Sequence, residues 1–355
     1  MKSSNHRNLR RRKQRIERRI APRNWSDQPY PMCRASNIRY EVSDRIRATA
    51  VGGIGAMHMM VHRLGLDQRI DEAIRLLKAH LPYYESDHVL NIAYNILAGG
   101  TKLEDIELLR HDESYMDMLG AQRIPDPTTA GDFLRRFSEG DIEKLMDVFN
   151  EVRREIWKHQ PREFRRTAVI EADGTLVPTT GEKKRGMEYS YKGIWGYQPL
   201  LVSLANSSEP LFVVNRPGNV ASHEGGARWI NKAIDLCEGV FDGILLRGDT
   251  DFSLTKHFDG WTDRGVRFIF GYDAHPKVVE IAQKLSRRRF SPLHRRRRSR
   301  VQTRRRRKRE QVKERIVVER GFENIKLQSE EVAEIAYRPG KCEPVSYTHL
   351  RAHET

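Results

Sequence analysis

Two aspartates follow short apolar runs, Asp173 in TAVIEADGT and Asp249 in FDGILLRGDTDFS. Short runs rich in Val, Ile and Leu read as buried strands, and the Gly, Thr and Ser that follow read as loop. A carboxylate at the end of a buried strand is held rigidly and faces solvent. Two of them on neighbouring strands make a hard, oxygen-only site suited to Mg2+ or Mn2+. The plainer reading makes both of them strand-end turn residues, a common place for aspartate because its side chain bonds nearby backbone. Glu171 and Asp251 each lie two residues from one of the pair. Residues two apart share a strand face, so these two are the rivals for a ligand role.

The elements that must position these residues are legible from the change of period. Residues 40–150 read as helical: HMMVHRLGLDQRIDEAIRLLKAHL repeats apolar residues three and four apart. SDHVLNIAYNILAGG starts at a Ser cap and ends at Gly, TKLEDIELLRHDESYMDMLG repeats that layout, and residues 126–159 hold two more helix starts. This segment packs as a helical domain, binds DNA ends or dimerises; the sequence does not choose between these roles. From about residue 165 strands take over: Thr167–Glu171, Trp195–Ala205, Leu211–Asn215, a helix within HEGGARWINKAIDLCEGV, Phe241–Arg247, a short helix over Ser253–Thr262, and Val266–Tyr272. Short connections make the first three strands an antiparallel meander. A right-handed crossover then sets the fourth strand parallel to the first. The first and fourth become central neighbours, with Asp173 beside Asp249. The expectation is an α/β chain: a ribonuclease H-like core built on a mixed five-stranded sheet, preceded by a helical domain.

Charge bounds the partner. The chain of 355 residues carries a net +16, unevenly spread. Residues 1–24 hold ten Lys/Arg and one Glu, residues 287–309 hold fourteen Lys/Arg and no acid, and the remainder sums to −7. Blocks of this kind neutralise phosphates, so DNA is the expected partner. Arg10, Arg11, Arg12 and Lys13 form the first candidate contact set. Arg295, Arg296, Arg297, Arg298, Arg304, Arg305, Arg306 and Arg307 form the second. The alternative is a solvated tail or a membrane-surface patch, but no amphipathic aromatic face accompanies the arginines. No apolar run approaches a membrane span, and the basic N-terminus lacks the apolar stretch of a secretory signal. Cys33, Cys237 and Cys342 are far apart and form no CxxC pair, so neither a zinc site nor a disulfide framework is suggested, and a reducing cytoplasm fits.

Other residues carry less. His223 and Glu224 sit where a helix begins, and the glutamate there suits the helix dipole. Trp195 and Tyr197 alternate with apolar residues and read as core rather than base-stacking groups. Arg247 suits a phosphate contact or a strand-end salt bridge equally. RPGN (216–219) reads as a turn.

DPTTAGDFLRRF, EADGTLVPTTG, YKGIWGYQPLLVSLAN, RPGNVASHEGG, LLRGDTDFS and ERGFENIKLQSEEVAEIAYRP together resemble bacterial insertion-sequence transposases of the DDE superfamily, the thirteen-eighty group above all. The resemblance runs from about residue 40 to about 343. It implies a catalytic core with three carboxylates and two divalent ions, Mg2+ or Mn2+, which bracket a phosphodiester at a spacing of about 3.5–4 Å. Asp173 matches the first carboxylate and Asp249 the second. The third, a Glu on a helix beyond a strand-rich insertion, finds no match. Glu330, Glu331 and Glu334 read as a surface run, and VSYTHLRAHET (345–355) resembles a translated sequencing-library adaptor. The expected organisation is a basic arm (1–39), a helical domain (40–155), the catalytic core (165–280), an Arg-rich start of an insertion (281–344) and a non-native tail (345–355). The expected function is a truncated DDE transposase, inactive as it stands, acting on element ends and target DNA, with a homodimer as a further expectation. A binding protein without catalysis, and a nuclease or resolvase on the same fold, are the alternatives.

Overall fold

The computed structural model describes residues 10, 11, 13, 14, 48–78, 83–180, 184–273, 275–292, 331–339, 342 and 348–354. They form two compact units divided between Ser138 and Glu139.

The first unit is helical: α1 (Gly53–Arg63), α2 (Leu66–Ala73), α3 (Glu85–Leu97), α4 (Ile106–Arg110), α5 (Glu113–Leu119) and α6 (Pro127–Leu134). Two periodic segments turn out to be broken. Gly65 at φ 62° separates α1 from α2, a left-handed conformation that ends a helix readily. Asp112 accepts a bond from Tyr115 N at 3.0 Å and so starts α5 inside the stretch 101–120. The Ser cap expected for α3 is also replaced. Tyr84 takes the cap position, while Ser86 donates its N–H and hydroxyl to the Asp71 carboxylate at 2.7 and 2.9 Å. The buried Glu85 carboxylate accepts Leu76 N and Leu77 N at 2.8 and 2.9 Å, supplying acceptors to the chain leaving α2. Asp126 caps α6 by accepting Thr129 N, with Pro127 at the first helical position. Ile54, Leu90, Tyr94, Ile106, Leu109, Tyr115 and Met116 form the core.

The second unit opens with α7 (Glu139–Lys158), then α8 (Arg162–Arg165). The expected helical domain ran to residue 155; α7 instead belongs with the sheet. The central sheet holds β1 (Ala168–Gly174), β5 (Leu200–Leu204), β6 (Glu209–Val214), β7 (Ile244–Gly248) and β8 (Arg267–Phe270), in the order β6-β5-β1-β7-β8. β1 pairs with β5 and β5 with β6 antiparallel, whereas β1 with β7 and β7 with β8 are parallel. This is the mixed five-stranded topology expected from the order of elements. Between β1 and β5 a second, small sheet forms from β2 (Val177–Pro178), β3 (Glu188–Tyr189) and β4 (Trp195–Tyr197), in the order β2-β4-β3. The expected strand 195–205 is thus split at Gln198–Pro199, where Pro199 has no N–H to give a ladder.

The crossover helix α9 (Gly226–Cys237) precedes β7, and α10 (Phe258–Asp263) precedes β8. On one sheet face Ala168, Ile170, Ala172, Leu200, Val202, Ile244 and Leu246 bury against Trp229, Ile230, Ala233, Ile234 and Cys237 of α9. Phe258 stacks on Phe268 at 4.4 Å on the same side. Alternation sends Glu171, Asp173, Leu201, Val213, Arg247 and Ile269 to the other face, where Val213 and Ile269 are at least half exposed. Beyond β8 lie α11 (Pro276–Gln283) and a three-stranded sheet of β9 (Ser291–Pro292), β10 (Glu331–Tyr337) and β11 (Thr348–Glu354), in the order β11-β10-β9. The tail read as adaptor-like thus contains β11, paired antiparallel with β10 along its whole length.

Candidate active site

The sequence places Asp173 at the end of the first strand, where the apolar run gives out. It lies inside β1, because β5 continues the ladder past the apolar run: Asp173 pairs with Leu201 and Gly174 with Leu200. The β1–β7 register aligns Glu171 with Arg247. Two residues further along both chains, the same offset aligns Asp173 with Asp249, just past the end of β7. Adjacent strands are about 4.8 Å apart, so the two carboxylates share one edge and one face. Asp249 is held there by local backbone bonds. It caps the single turn 250–252 by accepting Asp251 N at 3.1 Å, and Gly271 N, just past the end of β8, donates to Gly248 O at 3.2 Å. Burial, then repulsion from Asp251 and Asp173, push the Asp249 carboxyl up from its ordinary value. Crowded, exposed carboxylate oxygens of this kind fit a divalent cation, whose charge would relieve that repulsion.

Glu171 is placed differently from the other rival. The Arg247 guanidinium donates to its Oε1 through Nε, at 2.6 Å, and through Nη2. Arg247 thus makes the strand-end salt bridge, and Glu171 is engaged by it. Asp251 is exposed, one turn beyond Asp249. Among the described residues no group of three or more His, Cys, Asp or Glu gathers at metal-holding geometry. Glu334 lies exposed on β10, whose first residue is Glu331; Glu330 lies outside the described residues.

A loop unmarked by any periodic signal supports the end of β1. The half-buried Arg216 donates to Gln198 O at 3.0 Å and, through Nη1, to the carbonyls of Ala221, Ser222 and Glu224. Burial pushes its guanidinium down from its usual range. The buried Gln198, with its amide nitrogen toward Val220 O and Gly218 O at 3.0 and 3.2 Å, accepts from Ser222 Oγ at 3.1 Å. Ser222 packs over Gly174, next to Asp173. RPGN is therefore more than a turn: its arginine ties the loop 216–226 together. His223 and Glu224 are exposed in that loop, immediately before Gly225, the cap of α9. Trp195, expected in the core, is exposed, and Tyr197 is half-buried with its hydroxyl donating to Arg185 O at 2.8 Å.

Of the basic residues, Arg10, Arg11 and Lys13 are helical and exposed. Arg12, Arg295, Arg296, Arg297, Arg298, Arg304, Arg305, Arg306 and Arg307 lie outside the described residues.

A family model described as a transposase DDE domain, group 1, matches residues 32–324, most of the chain. The chain belongs to the DDE group 1 transposase family. Members of that family generally use divalent metal ions, in keeping with the oxygen-rich edge at Asp173 and Asp249. No curated protein matches the sequence. A solved structure described as the piggyBac transposase synaptic complex with hairpin DNA aligns at 10% identity and a TM-score of 0.35, covering 69% of this chain and 55% of that one. The aligned part thus spans about half the length of that relative, and the family assignment rests on the sequence model. Among the described residues no helix is long and apolar enough to cross a membrane.

Proposed function

We propose that this DDE-family chain binds DNA and supplies the first two carboxylates of a metal-dependent site that cuts and joins the ends of an insertion sequence. The observation that carries the reading is the shared register offset that sets Asp173 beside Asp249 on one face of the sheet, inside a family-matched domain. Asp173 and Asp249 would hold the ion, Mg2+ or Mn2+, through oxygen alone. A divalent ion bound there neutralises charge at a phosphodiester and lowers the pKa of an attacking water or 3′-hydroxyl. The chain's own part is positional. Strand pairing fixes Asp173, the capped turn 250–252 fixes Asp249, and the Arg247 ion pair keeps Glu171 off the site. The arginine-rich blocks supply affinity that is blind to sequence. The motifs shared with thirteen-eighty insertion-sequence transposases support element ends as the substrate.

The test is strand cleavage of labelled duplex DNA with Mg2+ or Mn2+, using a form of the chain that cuts. Asp173→Asn and Asp249→Asn should each abolish cleavage and leave DNA binding within about twofold, because affinity rests on arginines elsewhere. Cleavage that survives Asp173→Asn removes the basis of the assignment. DNA binding with no metal-dependent cutting in any form of the chain leaves the binding protein without catalysis as the function.

A further inference from the structure

The small sheet that grows from the end of β1 carries aromatic rings on its surface instead of in a core. Tyr189 is 64% exposed, Tyr191 79% and Trp195 38%. The register pairs Tyr189 with Trp195, and their rings meet edge to face at 4.8 Å. The Lys192 ammonium stands 5.3 Å from the Tyr191 ring, and Lys184 and Arg185 are exposed on the approach to β3. Large aromatic groups exposed together on one surface mark an interaction site. Here their cationic neighbours define what the use can be: a ligand with a flat apolar face and a negative charge, which describes a nucleotide.

The surface is also stiff and close to the carboxylates. Ser190 Oγ accepts Ile194 N at 3.0 Å, and Ser190 N donates to Ile194 O at 2.9 Å, closing the turn between Tyr189 and Trp195. Gly196 lies against the Val177 carbonyl, where any Cβ would collide, so β4 sits tightly on β2. Tyr197 pairs with Pro217 of the Arg216 loop as well as with Val177. Val177 follows Asp173 by four residues, and Trp195 precedes Leu201, the pairing partner of Asp173, by six. Six extended residues reach at most about 20 Å. The rings therefore stand within a few nucleotides of a strand seated at Asp173 and Asp249.

We propose that Tyr189, Tyr191 and Trp195 form a stacking platform for unpaired bases of DNA next to the cleavage point, with Lys192 paired to the backbone phosphate. This rests on the reading of the chain as a DNA-acting transposase and adds the form of DNA it takes there: a locally melted end. Duplex bases are already stacked on each other, so the platform selects single-stranded nucleotides.

The experiment is fluorescence anisotropy of the full chain with a short labelled single strand and with its duplex, at fixed salt, together with the emission of 2-aminopurine in the single strand. Tyr189→Ala and Trp195→Ala should weaken single-strand binding by roughly 5- to 150-fold and reduce 2-aminopurine quenching, the range expected for loss of one stacked base. Duplex binding should stay within about twofold. Trp195→Phe should keep most of the affinity. Tyr191→Ala, at a highly exposed position, should show the same selective loss without disturbing the fold, which circular dichroism checks. Unchanged single-strand binding in all three alanine variants, or equal loss on both DNAs in a folded Tyr191→Ala chain, overturns the platform alone. Failure of the wild-type chain to bind either DNA overturns the proposed function and the platform with it.

Discussion

At the scale of the residue, the site is a matter of which acid faces which charge. Glu171 and Asp173 lie on one face two positions apart, yet one meets a guanidinium and the other a second carboxylate. The difference comes from β7 and the residue just past its end, which set Arg247 opposite one and Asp249 beside the other. The raised Asp249 carboxyl has a stability consequence whose sign is fixed. Its folded pKa lies above the unfolded value near 3.8, so the folded chain binds the proton more tightly. Without metal, this group destabilises the fold once pH rises through its folded value, and the cost disappears in acid below 3.8. Asp249→Asn should therefore melt at or above the wild-type temperature at neutral pH in a chelator. Mg2+ or Mn2+ at ten times its dissociation constant should stabilise the wild type by about 1.4 kcal/mol, and neither Asp173→Asn nor Asp249→Asn should show most of that gain. Thermal melts across a metal titration measure this, and an equal gain in all three chains would place the ion elsewhere.

At the scale of the element, α7 decides where the second unit begins. Its sequence reads like one more helix of the first unit, but its partners are on the sheet. Asn150 Nδ2 donates to Leu211 O at 2.9 Å, and Trp157 Nε1 to Glu209 Oε2 at 2.9 Å, both on β6. Glu143 and Asp147 clamp Lys232 of α9 at 2.8 and 2.9 Å, and Glu143 also takes Arg228. α7 and α9 therefore form one layer under the sheet that carries Asp173. The bond from Lys232, then that from Arg228, hold the Glu143 carboxyl below its ordinary range. A depressed carboxyl stabilises the fold above its unfolded value near 4.5, and that stabilisation is lost as pH falls through the folded value. Glu143→Gln should lower stability by about 1 kcal/mol or less at neutral pH, since the network is partly exposed. Denaturant melts from pH 7 down into the acid range check it: the difference between the chains should shrink as pH falls below 4.5, and in high salt. A deficit of unchanged size in acid and in high salt would mean that packing, and not charge, holds α7 on α9.

At the scale of the whole molecule, positive charge is concentrated in two segments of the chain. The segments 1–24 and 287–309 are strongly basic, whereas the rest of the chain sums to a net charge of −7. If DNA affinity comes from these blocks, its dependence on salt is the direct readout. Each phosphate neutralised on duplex DNA contributes a slope of about −0.9 in log affinity against log salt. Deleting residues 287–309 should flatten the slope by several units while leaving the Asp173 and Asp249 edge in place. A slope equal to that of the full chain would show that the second block does not meet DNA.

The order of the central-sheet strands and crossover helix, the parallel pairing of β1 with β7 and the placing of Asp173 near Asp249 were legible in the residues; the small sheet β2–β4 was not. They follow from short-range signals: apolar runs of strand length, connection lengths, and the handedness of a crossover. What tertiary structure alone decided is register and partner. That Glu171 meets Arg247 depends on an alignment of strands 76 residues apart. That α7 joins the sheet depends on bonds from Asn150 and Trp157 to β6, more than fifty residues away. Trp195 reads as core because it alternates with apolar neighbours, but Pro199 ends the strand and hands it to a sheet whose outer face is in water. Arg216 reads only as the first residue of a turn, since the carbonyls it gathers come together only when the loop 216–226 closes on itself. Local pattern sets which elements form and in what order, because propensity and period act within a few residues. Which side chains meet is set by long-range pairing, which a single chain of letters does not encode locally.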